Sequence, residues 1–232
     1  MRREPPVDLR PYFLTFSDLP SGQQINWREF FGNDNSVELD IGCHRGVFLL
    51  SAALTRPDVN FLGIEIDFAE GRRAARKLWK RELPNARVLG GDARWALARL
   101  VPQASIAAVH VYFPDPWWKK KHRSRRLFND EFVLLAARVL RPGGLLHSWT
   151  DVDDYFEVIA ALMDHSPLFE PQAPPPEQAP STDLDYHTGF ERKKRKEGGI
   201  VYRGLWRRND VVQQELPAMA ACATWGDSRT AS

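Results

Sequence analysis

From Val37 onward, the chain alternates short apolar runs with amphipathic stretches. Runs of about four to eight apolar residues bounded by turn residues indicate buried strands, whereas apolar residues spaced three and four apart indicate helices. The pattern predicts strands at 37–41, 60–64, 86–89, 106–112, 144–150 and 200–207, with helices between them. Because strands that alternate with helices are typical of βαβ units, the sequence predicts an α/β fold with a parallel sheet.

Two of the predicted helices have an apolar face that should pack on the sheet. In the helix after the second strand, the residues expected to face inward are Phe68, Gly71, Ala75, Leu78 and Trp79. In the helix after the fifth strand, they are Phe156, Ile159, Ala160 and Met163. The first turn of this second helix carries Asp153 and Asp154, where the helix dipole favours anions.

Three segments depart from this pattern and set the expected domain limits. Residues 1–35 are rich in Pro, Asp and Asn around a few aromatic residues, which predicts an irregular arm ending in a short helix. Residues 167–181 contain too many prolines for a helix or a central strand and predict a linker or surface excursion. Residues 211–232 predict a poorly ordered tail, so a single domain is expected over 36–210.

Composition narrows the class of protein. The chain has 232 residues, of which 43% are hydrophobic and 27% charged, as in ordinary globular domains. No stretch approaches the ~18 apolar residues of a membrane span, and Met1 leads into no apolar segment. Cys43 and Cys222 lie far apart without a paired Cys/His spacing, which favours neither a disulfide nor a metal site. We therefore expect a soluble protein of the reducing cytoplasm.

The net charge of +2 conceals an uneven distribution. Residues 119–126 carry six Lys or Arg and no acid, and residues 192–208 carry a net +7. The two segments together reach +13, so the rest of the chain carries −11. Because a polyanion responds to local rather than total charge, this distribution indicates a nucleic acid partner.

Acidic and glycine residues follow the first three strands of the predicted sheet. Asp40 lies near the end of the first predicted strand, Gly42 and Gly46 come after it, and Glu65 stands at the end of the second. Glycines allow a sharp turn and close ligand approach, and an acid at the second strand end can accept hydrogen bonds from ribose hydroxyls. A surface salt bridge is the alternative for Glu65.

Asp92 and Ala93 follow the third strand in the same way. Asp92 could accept from an adenine amino group or cap the next helix, and the two roles are compatible. The G-x-G-x-x-G pattern of dinucleotide enzymes is absent. The acids and glycines at the ends of the first three strands therefore favour S-adenosylmethionine as the cofactor.

A second candidate site follows the fourth strand, in the sequence Phe113-Pro114-Asp115-Pro116-Trp117-Trp118-Lys119. Each proline fixes its own φ and biases the residue before it, Phe113 or Asp115, toward an extended backbone. Asp115 is thus expected to be held rigidly in a loop at the sheet crevice. An ordinary Pro-Asp turn is the alternative, although two adjacent tryptophans argue against it.

These residues resemble the bacterial tRNA (guanine-N(7)-)-methyltransferases over about residues 27–207. The most specific match is the 113–117 motif followed by Lys119, His122, Arg125 and Arg126. Supporting matches lie at 61–65, 91–93, 140–144, 150–151 and 188–191. Two positions depart from the family, which usually has a third glycine in place of His44 and a glutamate in place of Asp40.

The resemblance implies a class I methyltransferase: a doubly wound, mostly parallel sheet of seven strands with helices on both faces, binding S-adenosylmethionine. The cofactor contacts it implies are Asp40, Gly42, Gly46, Glu65, Asp92, Ala93 and Asp115, with Asp115 as the catalytic acid. The substrate contacts it implies are Lys119, Asp151, Thr188, Gly189, Phe190 and Glu191. The implied target is a guanine of the tRNA variable loop.

Guanine recognition needs acceptors for the ring N–H and the amino group, for which Asp151 and Glu191 are candidates. Asp151 could instead cap the following helix. The candidates for phosphate contacts are Lys120, Lys121, Arg123, Arg125 and Arg126.

Two other functions fit the sequence. One is a related methyltransferase acting on an amine of a protein or small molecule, and the other is a non-catalytic RNA-binding module. The sequence leaves the oligomeric state open between monomer and homodimer.

Overall fold

The computed structural model describes residues 7–117, 120–174, 186 and 188–211. In these residues the strands are β1 Phe13–Thr15, β2 Ser36–Ile41, β3 Val59–Glu65, β4 Ala86–Gly90, β5 Ile106–Tyr112, β6 Leu140–Thr150, β7 Phe169–Gln172 and β8 Tyr202–Arg208. The α-helices are α1 Trp27–Phe31, α2 Val47–Thr55, α3 Phe68–Trp79, α4 Ala93–Arg99, α5 Asp130–Val139, α6 Asp153–Asp164 and α7 Gly189–Lys196. Two short 3-10 helices cover Phe16–Asp18 and Lys120–Arg125.

The strands form one sheet in the order β1-β4-β3-β2-β5-β6-β8-β7. Neighbouring strands are parallel except for β8, which runs antiparallel to both β6 and β7. The predicted doubly wound, mostly parallel α/β fold is therefore confirmed. The chain order reverses between β2 and β5, and in such open sheets ligands bind outside the carboxyl ends of the strands at this switch point.

The predicted count of seven strands is wrong, because the described residues contain eight. The additional strand, β1, lies in the segment predicted to be an irregular arm and pairs in parallel with β4. Phe13 of β1 is buried, and its ring contacts the guanidinium of Arg72 and the ring of Phe68. The short helix predicted to end the arm is present as α1.

The Pro-rich segment 167–181 also contains a strand that the sequence did not predict. Residues 169–172 form β7, which pairs with β8 at the edge of the sheet. Pro171 lacks an N–H group, which is tolerated on an edge strand because one side needs no partner. The remainder of this segment, 175–181, and the predicted tail beyond residue 211 lie outside the described residues.

The buried faces of two helices differ in part from the prediction. In α3 the stripe that packs inward is Gly71, Ala74, Ala75 and Leu78. Phe68 and Trp79, predicted to face inward, are 46% and 39% exposed because they lie at the helix ends, beyond the cover of the strands. In α6 the buried residues are Tyr155, Ile159 and Met163, whereas Phe156 and Ala160 are only partly buried.

A buried polar network joins β2 to β5 at the switch point. Glu38 Oε2 lies 2.8 Å from His110 Nε2, and His110 Nδ1 lies 2.9 Å from the Tyr112 hydroxyl. Arg56 donates to the other oxygen of Glu38 at 2.7 Å. Because each buried polar group has a partner, the network fixes these two strands instead of weakening the core.

No helix in the described part of the chain is both long enough and apolar enough to cross a membrane.

The burial of Phe13 predicts that the N-terminal segment stabilises the domain. We expect Phe13→Ala to lower the free energy of unfolding by about 3 kcal/mol, as is usual when a buried aromatic ring is removed. The matched control is Phe190→Ala, since Phe190 is 60% exposed and its removal should change stability by less than about 0.5 kcal/mol. Urea unfolding of both variants measures the difference, and equal stabilities would show that β1 contributes nothing.

Candidate functional site

The predicted cofactor residues come together where the parallel strands end. Asp40 lies in β2 beside Gly63 of β3, and Glu65 at the end of β3 pairs with Gly90 of β4. The loop that holds Asp115 follows β5, the neighbour of β2 on the other side. The candidate site thus spans the switch point of the sheet.

The loop between β2 and α2 turns through three residues with a left-handed backbone. Gly42, His44 and Gly46 have φ values of 73°, 46° and 64°. A Cβ atom on Gly46 would lie 2.7 Å from the Cβ of Ala74, so glycine is needed there for space as well as conformation. His44, at the position where the resemblance leads one to expect a third glycine, also has a left-handed backbone.

Glu65 anchors this loop. Its Oε2 accepts a hydrogen bond from the His44 amide at 2.7 Å, and its Oε1 accepts from the Asp67 amide at 2.8 Å. The salt-bridge alternative for Glu65 finds no support, since its carboxylate forms no ion pair within the described ranges. Each oxygen keeps a second lone pair, so the carboxylate can also accept from a ligand.

Asp40 is the most unusual acid of the site. It is 4% exposed, and within the described part of the chain no hydrogen-bond donor reaches its carboxyl group. Burial, followed by the negative charge of Glu65, raises its pKa to about 8. A buried acid without a donor is costly, so Asp40 suits a site that a positively charged ligand completes.

Asp92 caps α4, as one of its two predicted roles requires. Its Oδ1 accepts from the Trp95 amide at 3.1 Å, while the residue as a whole is exposed. Ala93, the first residue of α4, is partly buried. The cap uses one carboxylate oxygen of this exposed residue, so the other oxygen can accept from a ligand.

Sequence reasoning missed Ile66, which follows Glu65 and is 69% exposed. An apolar side chain this exposed at a strand end is available to cover a flat apolar ligand group such as an adenine ring. The signal was present in the sequence, because Ile66 stands between the acid at the end of the strand and Asp67, the residue that caps α3. Nearby, the rings of Phe16 and Trp95 stack with centroids 4.4 Å apart.

The loop after β5 has a strained backbone. Phe113 has a φ of 54° and Trp117 a φ of 41°, so the extended backbone predicted for Phe113 is wrong. For bulky residues such values cost roughly 1–3 kcal/mol each and persist only where surrounding contacts impose them. The Phe113 amide donates to the Trp149 carbonyl at 2.7 Å, and Arg126 Nε donates to the Pro116 carbonyl at 2.7 Å.

These contacts hold Asp115 in an exposed position between two tethered residues. Arg126 also lies over the ring of Tyr155, 4.8 Å from its centroid, and so has a structural role beyond its predicted phosphate contact. Arg125 lies 5.2 Å from the Trp117 ring, and Lys121 is exposed. The predicted contact Lys119 lies outside the described residues, as do the side chains of Lys120 and Arg123.

Helix α7 brings the predicted substrate residues to the same crevice. Thr188 caps the helix by accepting from the Glu191 amide at 2.9 Å, and exposed Gly189 begins it. The ring of Phe190 lies 6.1 Å from the His44 ring, which places α7 beside the cofactor loop. Glu191 is buried and pairs with Arg195 at 2.8 Å.

Asp151 lies beside α7 and not at a helix cap. Its carboxylate is 3.5 Å from Lys194 Nζ, and its side chain is 38% exposed. Helix α6 begins at Asp153 and the capping position is Val152, so the alternative role of Asp151 as an N-cap is wrong. The carboxylate thus lies partly exposed at the carboxyl end of β6, paired with Lys194.

Two other features of the molecule do not add to the site. A concavity of about 480 Å³ lies beyond the last turn of α3 and is lined by Arg10, Tyr12, Trp79, Lys80 and Glu82, none of them a predicted site residue. Among the described residues, no group of three or more His, Cys, Asp or Glu is placed to hold a metal ion.

The chain is similar in sequence to known methyltransferases. A family model described as "Putative methyltransferase" matches residues 34–204. The tRNA (guanine-N(7)-)-methyltransferase of Rhodopirellula baltica is 42% identical over 88% of this chain and 77% of its own. The enzyme of the same name from Streptomyces coelicolor is 35% identical over 86% of this chain and 73% of its own.

Solved structures share the fold. The 16S rRNA methyltransferase KamB superposes with a TM-score of 0.56 at 17% identity, covering 79% of this chain and 92% of that one. The aminoglycoside resistance methyltransferase NpmB1 gives 0.52 at 19% identity, covering 78% and 91%. At these identities the likeness concerns the sheet and its helices.

The raised pKa of Asp40 predicts a pH-dependent effect on stability. The folded protein keeps this proton up to a pH of about 8, whereas the unfolded chain loses it near 3.8, so the wild type loses stability as the pH rises between these values. We expect Asp40→Asn to raise the melting temperature by an amount that grows from pH 5 toward about pH 8.

The control variant is Glu38→Gln, which should change the melting temperature in the opposite direction. Burial raises the pKa of Glu38, but the hydrogen bond and charge of His110 and the charge of Arg56 together lower it to about 2. Glu38 thus stabilises the fold above pH 4.5, the usual pKa of its side chain, and its loss should lower the melting temperature at neutral pH.

The outcome that would contradict the raised pKa of Asp40 concerns the first variant. It is a difference in melting temperature between Asp40→Asn and wild type that stays constant from pH 5 to about 8.

Proposed function

Because the chain belongs to the tRNA (guanine-N(7)-)-methyltransferase family, we propose that it transfers the methyl group of S-adenosylmethionine to N7 of a guanine in tRNA. The observation that carries this proposal is that the family match spans the residues that the fold brings to one crevice. Asp40, Glu65, Asp115 and Asp151 all lie at carboxyl ends of adjacent strands.

The crevice suits the cofactor in charge and shape. Asp40 offers a buried carboxyl group to a cation, Glu65 and Asp92 offer oxygen acceptors to hydroxyl and amino groups, and exposed Ile66 offers an apolar cover. A Cβ on Gly42 would meet nothing within 4 Å, so the loop leaves open space beside the site. S-adenosylmethionine supplies an electrophilic methyl group on a positively charged sulfur.

The reaction depends on aligning the reacting atoms and does not require a proton to be removed first. Guanine N7 has an in-plane lone pair and can attack the methyl group without first losing a proton. Holding nitrogen, methyl carbon and sulfur in line can contribute roughly 7–11 kcal/mol to the lowering of the barrier. The strained and tethered loop at 113–117 is suited to this, because its backbone has few alternative conformations.

Asp115 is the residue proposed to stabilise the reaction. As the new bond forms, positive charge develops on the purine ring, and a fixed carboxylate facing the ring lowers the energy of that charge. Asp115 is exposed, so an incoming base can displace water and contact it directly.

Asp151 is proposed as the main acceptor for the guanine ring N–H and amino group. Both acids are paired with a base, but the Asp151 side chain is 38% exposed and lies 3.5 Å from Lys194, whereas the Glu191 side chain is 2% exposed and lies 2.8 Å from Arg195. Glu191 would reach the base only after this pair, which lies within α7, opens. Phe190, exposed beside His44, is placed to stack on a base.

The N7 edge is inaccessible in the deep groove of A-form RNA, so the target guanine must be irregularly placed or extruded. We propose that the methylated base is the guanine of the variable loop and that the tRNA is cytoplasmic. The 3-10 helix Lys120–Arg125 and α7 flank the crevice and supply positive charge for the surrounding phosphates.

The proposed role of Asp115 predicts a loss of turnover without a loss of cofactor binding. We expect Asp115→Asn to lower kcat roughly 100-fold, because a neutral amide cannot stabilise the developing charge. The control is Asp154→Asn, an exposed acid in the first turn of α6. Single-turnover methylation measures the effect, and an Asp115→Asn enzyme as fast as wild type would rule out the role.

The activity itself is tested by incubating unmodified tRNA transcripts with the protein and methyl-labelled cofactor. Nuclease digestion should release label as 7-methylguanosine. Replacing the variable-loop guanine with adenine should abolish incorporation. Label in another nucleoside, or none, would refute the proposed reaction, and label that survives the replacement would refute the proposed position.

A further inference from the structure

Near the crevice, one carboxylate holds two arginines side by side. Oε2 of Glu70, in the first turn of α3, accepts from Arg45 Nε at 2.8 Å, and Oε1 accepts from Nη1 of Arg73. The Glu70 side chain is 13% exposed, whereas those of Arg45 and Arg73 are 56% and 59% exposed. The two guanidinium groups thus contact one mostly covered carboxylate and are themselves more than half exposed.

The positive charge of this cluster is not balanced. One carboxylate neutralises only one of the two arginines, and Lys77 Nζ donates to the Arg45 carbonyl at 2.7 Å. The pKa of Lys77 is lowered by burial and then by the nearby charges of Arg45 and Arg81. Arg76, one turn after Arg73, is exposed on the same helix. The face of α3 around Glu70 therefore has a net positive charge.

The arginines around Glu70 lie close to α7, one of the two basic segments proposed to contact RNA phosphates. Arg45 follows His44, whose ring lies 6.1 Å from that of Phe190 on α7. The last turn of α7 carries Lys193, Lys194, Arg195 and Lys196. Helix α7, with its basic last turn, therefore lies beside the glycine loop that carries Arg45.

A purely structural role explains only part of this arrangement. A single ion pair between Arg45 and Glu70 would tie the glycine loop to α3, so Arg73 is not needed for the tie. A guanidinium carries five N–H donors, and toward Glu70 Arg45 uses Nε and Arg73 uses Nη1. The outward donors of two adjacent guanidinium groups match the oxygens of a phosphate, which arginine binds in a bidentate manner.

We propose that Arg45 and Arg73, held side by side by Glu70, form a phosphate-binding site for the RNA backbone next to the methyl-transfer crevice. This inference rests on the proposed function, since the phosphate belongs to the tRNA substrate. It adds the α3 face to the two basic segments evident from the sequence.

The test is tRNA binding by Arg45→Gln/Arg73→Gln, measured by fluorescence anisotropy at several salt concentrations. We expect Kd to rise at least about tenfold at low salt, because two charge-assisted contacts are lost. The slope of log Kd against log salt should fall by about 1.5, as expected for two fewer phosphate contacts. The matched control is Arg99→Gln/Arg141→Gln, two exposed arginines near the amino ends of the strands, which should keep the wild-type slope.

Unchanged affinity and slope in the first variant would overturn the proposal. A loss of S-adenosylmethionine affinity with tRNA binding intact would also overturn it, since the cluster would then serve the cofactor. If the double glutamine variant does not fold, Arg45→Lys/Arg73→Lys replaces it. That variant keeps the charge and should keep the salt slope, but lysine cannot bind in a bidentate manner, so tRNA affinity should still fall. Wild-type affinity in the lysine variant would contradict the proposal.

Wild-type methylation of the same transcripts separates the two hypotheses. If the wild type forms no 7-methylguanosine, the proposed function fails. If it does, and the glutamine variant binds tRNA normally, only the phosphate site fails.

Discussion

The carboxyl group of Asp40 is buried beside that of Glu65, where the chain order of the sheet reverses. Without a ligand this pair is unfavourable, because burial and mutual repulsion keep Asp40 protonated to a pH of about 8. A positively charged cofactor relieves both costs. The glycine loop, exposed Ile66 and the strained loop around Asp115 lie at the ends of the same adjacent strands, where we propose that substrate and methyl donor bind.

The central part of the fold could be predicted because its strands are apolar runs bounded by turn residues. The predicted strand 106–112 has the same bounds in the structure. The two edge strands could not be predicted, since β1 has three residues and β7 contains Pro171. Edge strands gain their stability from pairing with a neighbour and not from their own pattern, so the local sequence carries little signal for them.

The acids Asp40, Glu65, Asp92 and Asp115 were singled out because each lies at or just after the carboxyl end of a strand, where neighbouring parallel strands converge. Contacts made across the fold could not be predicted. Proline statistics favour an extended Phe113, but its amide bonds to Trp149 and its φ is 54°. The contact between Phe190 of α7 and His44 likewise joins residues far apart in the sequence.

The most direct test of the central claim is calorimetry of S-adenosylmethionine binding at pH 7 in buffers with different ionisation enthalpies. Because Asp40 is protonated in the free protein and should become a carboxylate beside a cation, binding should release close to one proton. Asp40→Asn should bind with little or no release. Wild-type binding without proton release would contradict the account, because Asp40 would then not sense the charge of the cofactor.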